Sequence, residues 1–214
     1  MVALNLTAER AGVFRITHID NLPWILRNGL WCPSSGNLDP DFVSIGNPDI
    51  IQKRSCKPVP ISPGGTLDDY VPFYFTPCSV MLYNIITGRG VPQLSEDELI
   101  ILVSSLRELR QNNVPFVFTN RHAFVAYAEF FDDVDLLDRV DWALLRARDF
   151  ARSDADPGKV ERYQAEALVH RTVPVAALLG IACYSGKSRD QVVAMLQEVG
   201  IDLRVIVKKE WFFG

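Results

Sequence analysis

Apolar and polar positions alternate along Val13-Phe14-Arg15-Ile16-Thr17, which predicts a first strand, with His18 where the chain turns. Asp20-Asn21 are expected to cap a helix through residues 22–26, with Pro23 tolerated in its first turn and Gly29 as terminator. From Leu30 to Pro72 the chain is rich in Pro, Gly, Ser and Asn, and only residues 48–54 suggest a helical turn or two. Connections this long are uncommon inside a compact domain and are usually functional or mobile, so a binding loop is expected here. Residues 71–75 read as a strand, Thr76-Pro77-Cys78-Ser79 as a helix start and residues 80–86 as its continuation. Residues 98–104 form a nearly continuous apolar run that predicts a buried strand, followed by a short helix over 105–112. Another strand over 114–119 ends in Asn120-Arg121-His122, placing a second histidine just past a strand. Residues 132–141 read as an acidic surface segment and 142–150 as a helix. Strands are expected over 173–179, 181–184 and 204–207, with an amphipathic helix over 188–198 between the last two. The sum is an α+β architecture, short strands with helices packed outside them. With no linker and no repeat in view, residues 1–214 are expected to form one domain.

The position that stands out is Glu166, an acidic side chain within Ala165-Glu166-Ala167-Leu168-Val169. A period of two puts Gln164, Glu166 and Leu168 on one face of a short strand, and a half-exposed strand glutamate is the ordinary reading of such a pattern. The densest cationic segment is Lys53-Arg54-Ser55-Cys56-Lys57, which is either a solvated surface or a local basic groove. A net charge of −4 argues against sequence-independent coating of nucleic acid and leaves room for such a groove.

The four cysteines and three histidines are scattered, without the spacing of a zinc site or the density of a disulfide scaffold, so reduced thiols and no metal are expected. No apolar run is long enough to cross a membrane and the N-terminus lacks a signal pattern, which leads to an expectation of a cytoplasmic protein. Neither a G-x-G-x-x-G nor a Walker-type loop is present, so any dinucleotide is held in some other way.

Four stretches in order, Arg15-Ile16-Thr17-His18-Ile19-Asp20-Asn21-Leu22, Tyr70-Val71-Pro72-Phe73-Tyr74-Phe75-Thr76-Pro77, Thr119-Asn120-Arg121-His122-Ala123 and Gln164-Ala165-Glu166, resemble the successive signatures of the DarT family of DNA ADP-ribosyltransferase toxins. The resemblance runs along nearly the whole chain. It departs at Cys78 and Val80, where the family more usually shows Arg and Pro. What it implies is an ADP-ribosyltransferase-like fold, two small antiparallel or mixed sheets forming an NAD cleft with flanking helices. NAD is then a substrate, single-stranded DNA the acceptor, and a macrodomain antitoxin with ADP-ribosyl glycohydrolase activity the partner. Carried over by position, His18 and Asn21 belong to the NAD pocket, with Leu30, Tyr74 and Arg54 as neighbours. Arg54 and His122 flank the reacting centre and Glu166 is its catalytic glutamate. The DNA side takes Lys53, Arg54 and Lys57, with Met81 and Tyr83 on the following helix.

The residue types suit that chemistry. Cleaving the nicotinamide bond develops positive charge on the ribose, which a fixed carboxylate stabilises. A thymine imide becomes a nucleophile when it loses its ring proton, for which Glu166 is a candidate base and Arg54 a stabiliser of the resulting anion. Two other readings stay open at this level: the same fold with a different acceptor (guanine, a protein side chain or an RNA 2′-phosphate), or a catalytically silent nucleic-acid-binding module.

Overall fold

The computed structural model describes residues 5–214. The chain runs β1 (Gly12–His18), α1 (Leu22–Asn28), β2 (Leu30–Trp31), α2 (Pro48–Arg54), β3 (Tyr70–Tyr74), α3 (Val80–Thr87), β4 (Leu99–Ser105) and α4 (Leu106–Gln111). It continues through β5 (Phe116–Thr119), β6 (Phe130–Phe131), α5 (Trp142–Ala147), α6 (Lys159–Tyr163), β7 (Glu166–His170), β8 (Thr172–Val173), β9 (Gly180–Cys183), α7 (Gly186–Val199) and β10 (Val205–Val207). The fold is α+β with two unequal sheets: an eight-stranded one in the order β10-β9-β4-β1-β3-β7-β5-β6, and a two-stranded one, β2-β8.

The large sheet is jointed. β1 lies antiparallel to β4 from Gly12↔Ser105 to His18↔Leu99, but meets β3 only at Phe14↔Tyr74. On the other side β3 pairs fully with β7, from Tyr70↔His170 to Tyr74↔Glu166. The ladder therefore consists of two halves, β10-β9-β4-β1 and β3-β7-β5-β6, held by a single residue pair, and this is how two small sheets arise within one ladder. In place of further ladder bonds, Arg15 Nη1 donates to the Pro72 carbonyl at 2.9 Å.

Apolar residues of both halves pack into one large core, with Val13, Phe14, Phe73, Phe75, Leu99, Leu102, Phe118, Ala167 and Ile181 all buried. A smaller cluster of Val59, Leu67, Tyr70, Val117, Ala123 and Leu168 lies under the loop that follows α2. No helix among the described residues is long and apolar enough to cross a membrane.

Several local expectations are corrected. The helix near residue 22 is entered through a 3-10 turn over Ile19–Asn21 whose cap is His18, with Nδ1 accepting from the Asp20 N–H at 3.2 Å. Asn21 makes no capping bond. Gln164 is not on a strand: it ends α6, its side chain donates to the Val160 carbonyl, and β7 starts at Glu166. Residues 173–179 are not one strand, because β8 stops at Val173 and a 3-10 turn follows over Val175–Ala177. The 132–141 segment is acidic but not wholly surface, since a 3-10 turn there buries Leu137 and Val140 follows it inward.

Candidate active site

Glu166 opens β7 directly opposite Tyr74, with its backbone N–H tied to Thr119 Oγ1 at 3.1 Å. Its side chain is 1% exposed. A carboxylate taken out of water needs charged or hydrogen-bonding partners, and two stretches distant in sequence supply them. From the end of α2, Arg54 Nη1 donates to Oε1 at 3.2 Å, while Nη2 lies 3.0 Å from Oε2 in the ion pair but is not aligned to donate a hydrogen bond. From the turn after β5, the Ala123 N–H donates to Oε1 at 3.0 Å, and His122 Nε2 stands 3.7 Å from the same oxygen.

Each partner is held by local structure. Asn47 caps α2, its side chain accepting from the Asp49 and Ile50 N–H groups, and Pro48 fits the first helical turn. Yet α2 buries none of its residues fully, and Ile50 and Ile51 are exposed. The contact of Arg54 with Glu166 is thus a main tether of this helix to the sheet. The His122 N–H donates to the Glu161 carbonyl at 2.8 Å, which fixes the turn that presents Ala123.

Burial alone pushes the Glu166 carboxyl upward; the Arg54 guanidinium, His122 and the Ala123 N–H outweigh it and hold the group below the usual carboxylate value. For His122 burial dominates, aided by Arg54 and opposed by Glu166, and the imidazole is pushed below its ordinary value, so it is neutral near pH 7. Burial likewise drives the Tyr74 phenol upward. The centre is an ion pair flanked by a neutral imidazole and a neutral phenol.

The sequence-predicted residues divide into groups. Glu166, Arg54 and His122 come together, and Tyr74 joins them, its hydroxyl donating to Met81 Sδ at 3.5 Å. Lys53 is exposed and Lys57 half-buried on either side of Arg54. Tyr83 packs edge-on against Phe150 and Phe213 with the Arg89 guanidinium over its ring, so its faces are largely taken by the protein itself. Asn21 is buried, donating to Thr17 Oγ1 and the Val43 carbonyl and accepting from the Val43 N–H. Leu30 is in the core. His18 lines a shallow concavity with Asp20, Ser95, Asp97, Lys187 and Gln191 that does not include Glu166.

Sequence reasoning missed three features. The Ala123 N–H carries no signal in its side chain. Arg15 occupies a polar place in an alternating strand, which disguises a guanidinium whose Nε is sealed from solvent without a partner. A second concavity, lined by Arg152, Ser153, Asp154, Pro157, Val160 and Glu161, adjoins the His122 turn through Glu161. Cys78, where the sequence departs from the family pattern, is buried; its carbonyl accepts from Tyr163 and burial pushes its thiol up to about 11. The described residues contain no group of three His, Cys, Asp or Glu placed to hold a metal ion.

A buried carboxylate gripped by arginine at a joint between two half-sheets can stabilise a cationic sugar and, once released from the arginine, accept a proton. Comparison with known proteins agrees with that capacity. The family model described as "ssDNA thymidine ADP-ribosyltransferase, DarT" matches residues 14–213. The DNA ADP-ribosyl transferase of Escherichia coli O127:H6 is 46% identical over 211 residues, covering 98% of this chain and 97% of that one. Thermus sp. 2.9 DarT in complex with ADP-ribosylated ssDNA superposes with a TM-score of 0.89 at 36% identity, covering 98% of this chain and 99% of the other. The same Thermus protein in complex with NAD+ gives a TM-score of 0.84 at 35% identity, covering 95% and 98%.

Proposed function

The chain belongs to the DarT family of single-stranded-DNA thymidine ADP-ribosyltransferases, and on that premise we propose that Glu166, Arg54 and His122 form the centre that moves ADP-ribose from NAD to thymine. The observation that carries this reading is the fully buried Glu166 carboxylate, gripped by Arg54 at the joint of the large sheet. A module that only binds nucleic acid has little need of a buried carboxylate and would bear the cost of desolvating it without return.

NAD supplies the activated glycosyl bond. Glu166, held anionic, lies where it can stabilise positive charge on the ribose as nicotinamide leaves with the bonding electron pair. In the arrangement described, both carboxylate oxygens face Arg54, which makes Glu166 a weak base. When the guanidinium turns to a substrate oxygen, burial is no longer offset and the carboxyl rises, so the same side chain becomes a better acceptor for the imide proton of thymine. Arg54 then faces the carbonyls of the base and stabilises the anion that attacks the ribose carbon. His122, neutral, serves as a hydrogen-bonding group that orients base or ribose.

On this reading DNA approaches along the basic segment of Lys53 and Lys57, and Met81, which accepts from the Tyr74 hydroxyl, lines its path. For His18, Asn21 and Leu30 the geometry supports supporting roles: His18 ends the strand that carries Arg15, and Asn21 ties that strand to the loop at Val43. A single folded domain accounts for all these contacts. Work on DNA with NAD fits the cytoplasm, and a covalent mark on a template base fits a toxin whose partner is a macrodomain antitoxin that hydrolyses it. The test is incubation with NAD and single-stranded oligonucleotides varied one base at a time, with products weighed by mass spectrometry. A mass gain on thymidine-containing strands supports the reading, and a gain on guanine, protein or RNA instead overturns it.

A further inference from the structure

The joint between β1 and β3 holds two permanently charged side chains, Arg15 and Arg54, against one carboxylate. Arg54 is paired with Glu166, through a hydrogen bond from Nη1 and an ion-pair contact from Nη2 that lacks hydrogen-bond alignment. Arg15 spends Nη1 on the Pro72 carbonyl, its Nε is buried without a partner, and among the described residues it forms no ion pair. Burial pulls its guanidinium down to about 10, the like charge of Arg54 adding to that, and it still stays charged at neutral pH. Neither His122 nor Tyr74 supplies negative charge there, since both are neutral.

If Arg15 served only to join the half-sheets through Pro72, a neutral donor would do the same without the cost of a buried cation. An unpaired guanidinium beside the reacting centre is instead suited to an anion that arrives with a ligand. We propose that Arg15 is a substrate-anchoring residue whose free guanidinium edge takes a phosphate oxygen, from the NAD pyrophosphate or the DNA backbone, at the joint between β1 and β3. The inference rests on the reading of that joint as the transfer centre, and assigns to it a second cation beyond Arg54.

The experiment compares wild type with Arg15→Met, Arg15→Gln and Arg15→Lys by calorimetry, using carba-NAD and a thymidine-containing single-stranded oligonucleotide as separate ligands. Arg15→Met is expected to melt at or above the wild-type temperature without ligand, because an uncompensated charge is gone, and to bind at least one ligand tenfold more weakly. Arg15→Gln, which keeps a donor for Pro72 and removes only the charge, should lose affinity to the same extent, while Arg15→Lys recovers part. Loss confined to carba-NAD assigns the pyrophosphate; loss confined to the oligonucleotide, with a shallower salt dependence, assigns the DNA phosphate. Wild-type affinity for both ligands in Arg15→Met overturns the proposal. So does a lowered melting temperature that Arg15→Gln restores together with full affinity, since a neutral side chain then suffices. If wild type itself neither binds these ligands nor modifies DNA, the reading of the centre fails as a whole; an active wild type with unaffected variants sinks this inference alone.

Discussion

Replacing Arg54 with alanine probes the ion pair at the centre of the account. The substitution leaves Glu166, 1% exposed, with only the Ala123 N–H and His122 as partners. Breaking one side of a buried ion pair costs about 3–5 kcal/mol, because the remaining charge is stranded. Since α2 is fully buried nowhere and can move aside to admit water, the lower end is expected, about 3 kcal/mol, or ~6–12 °C in melting temperature for a chain of this size. The pH dependence separates this cause from mere loss of packing. In wild type the folded carboxyl lies below its unfolded value, so the stability it contributes is present above the unfolded value and is lost as pH falls through the folded one. In the variant, burial is no longer offset and the folded value rises above the unfolded one, so the sign reverses and stability is lost as pH climbs through it. The gap between the two proteins should therefore be small near pH 4 and widen towards pH 7. Melting curves by circular dichroism across that range measure it. A gap that is constant with pH, or no gap at pH 7, would refute the view that Arg54 compensates a buried carboxylate.

Glu166→Gln keeps the side chain's shape and an acceptor for Ala123 but removes the charge, and is expected to lower transfer about 10²–10³-fold or more with NAD affinity retained; turnover within tenfold of wild type, read by oligonucleotide mass, would sink the role assigned to it. The imidazole of His122 should titrate below its ordinary value of 6.5, with its stabilising contribution complete above that value and lost as pH falls through the folded one, as followed by NMR of the ring carbons. A midpoint above 6.5 would mean a charged imidazole and a different part in the reaction. Asn21→Ala removes buried bonds to Thr17 and Val43 and is expected to cost about 1–3 kcal/mol in thermal unfolding. Loss of NAD affinity with unchanged melting would place Asn21 against the substrate instead.

What was legible follows from which forces act locally. β1, β4, α3 and α7 announce themselves because alternation, continuous apolar runs and capping serines such as Ser79 are short-range signals, although α7 starts two residues before the expected 188 and is capped by Ser185. Glu166 stood out as a carboxylate among apolar neighbours, and Arg54 lay in the densest basic segment. What it took the fold to reveal is long-range. Ala165-Glu166 looks like the middle of a strand, yet the strand starts only at Glu166, because pairing with Tyr74 and the Thr119 hydroxyl sets its end while Gln164 closes the preceding helical turn. Arg15 fits the polar phase of an alternating strand, and only the missing β1–β3 pairs leave it enclosed beside Pro72. β6 has two residues, too short for any period to register. Tyr83 read as a possible platform for a base, and only the approach of Phe150 and Phe213 from later in the chain shows its ring engaged.

The central claim is that this centre deprotonates thymine and joins its ring nitrogen to ADP-ribose. The most direct measurement uses a single-stranded oligonucleotide with one thymidine beside an otherwise identical strand whose thymine carries a methyl group on that nitrogen, each incubated with NAD and analysed by tandem mass spectrometry. The account predicts one ADP-ribosyl group on the thymine of the first strand and none on the methylated strand, with the product lost in Glu166→Gln. Modification of the methylated strand, or of any other base in the first, would contradict it.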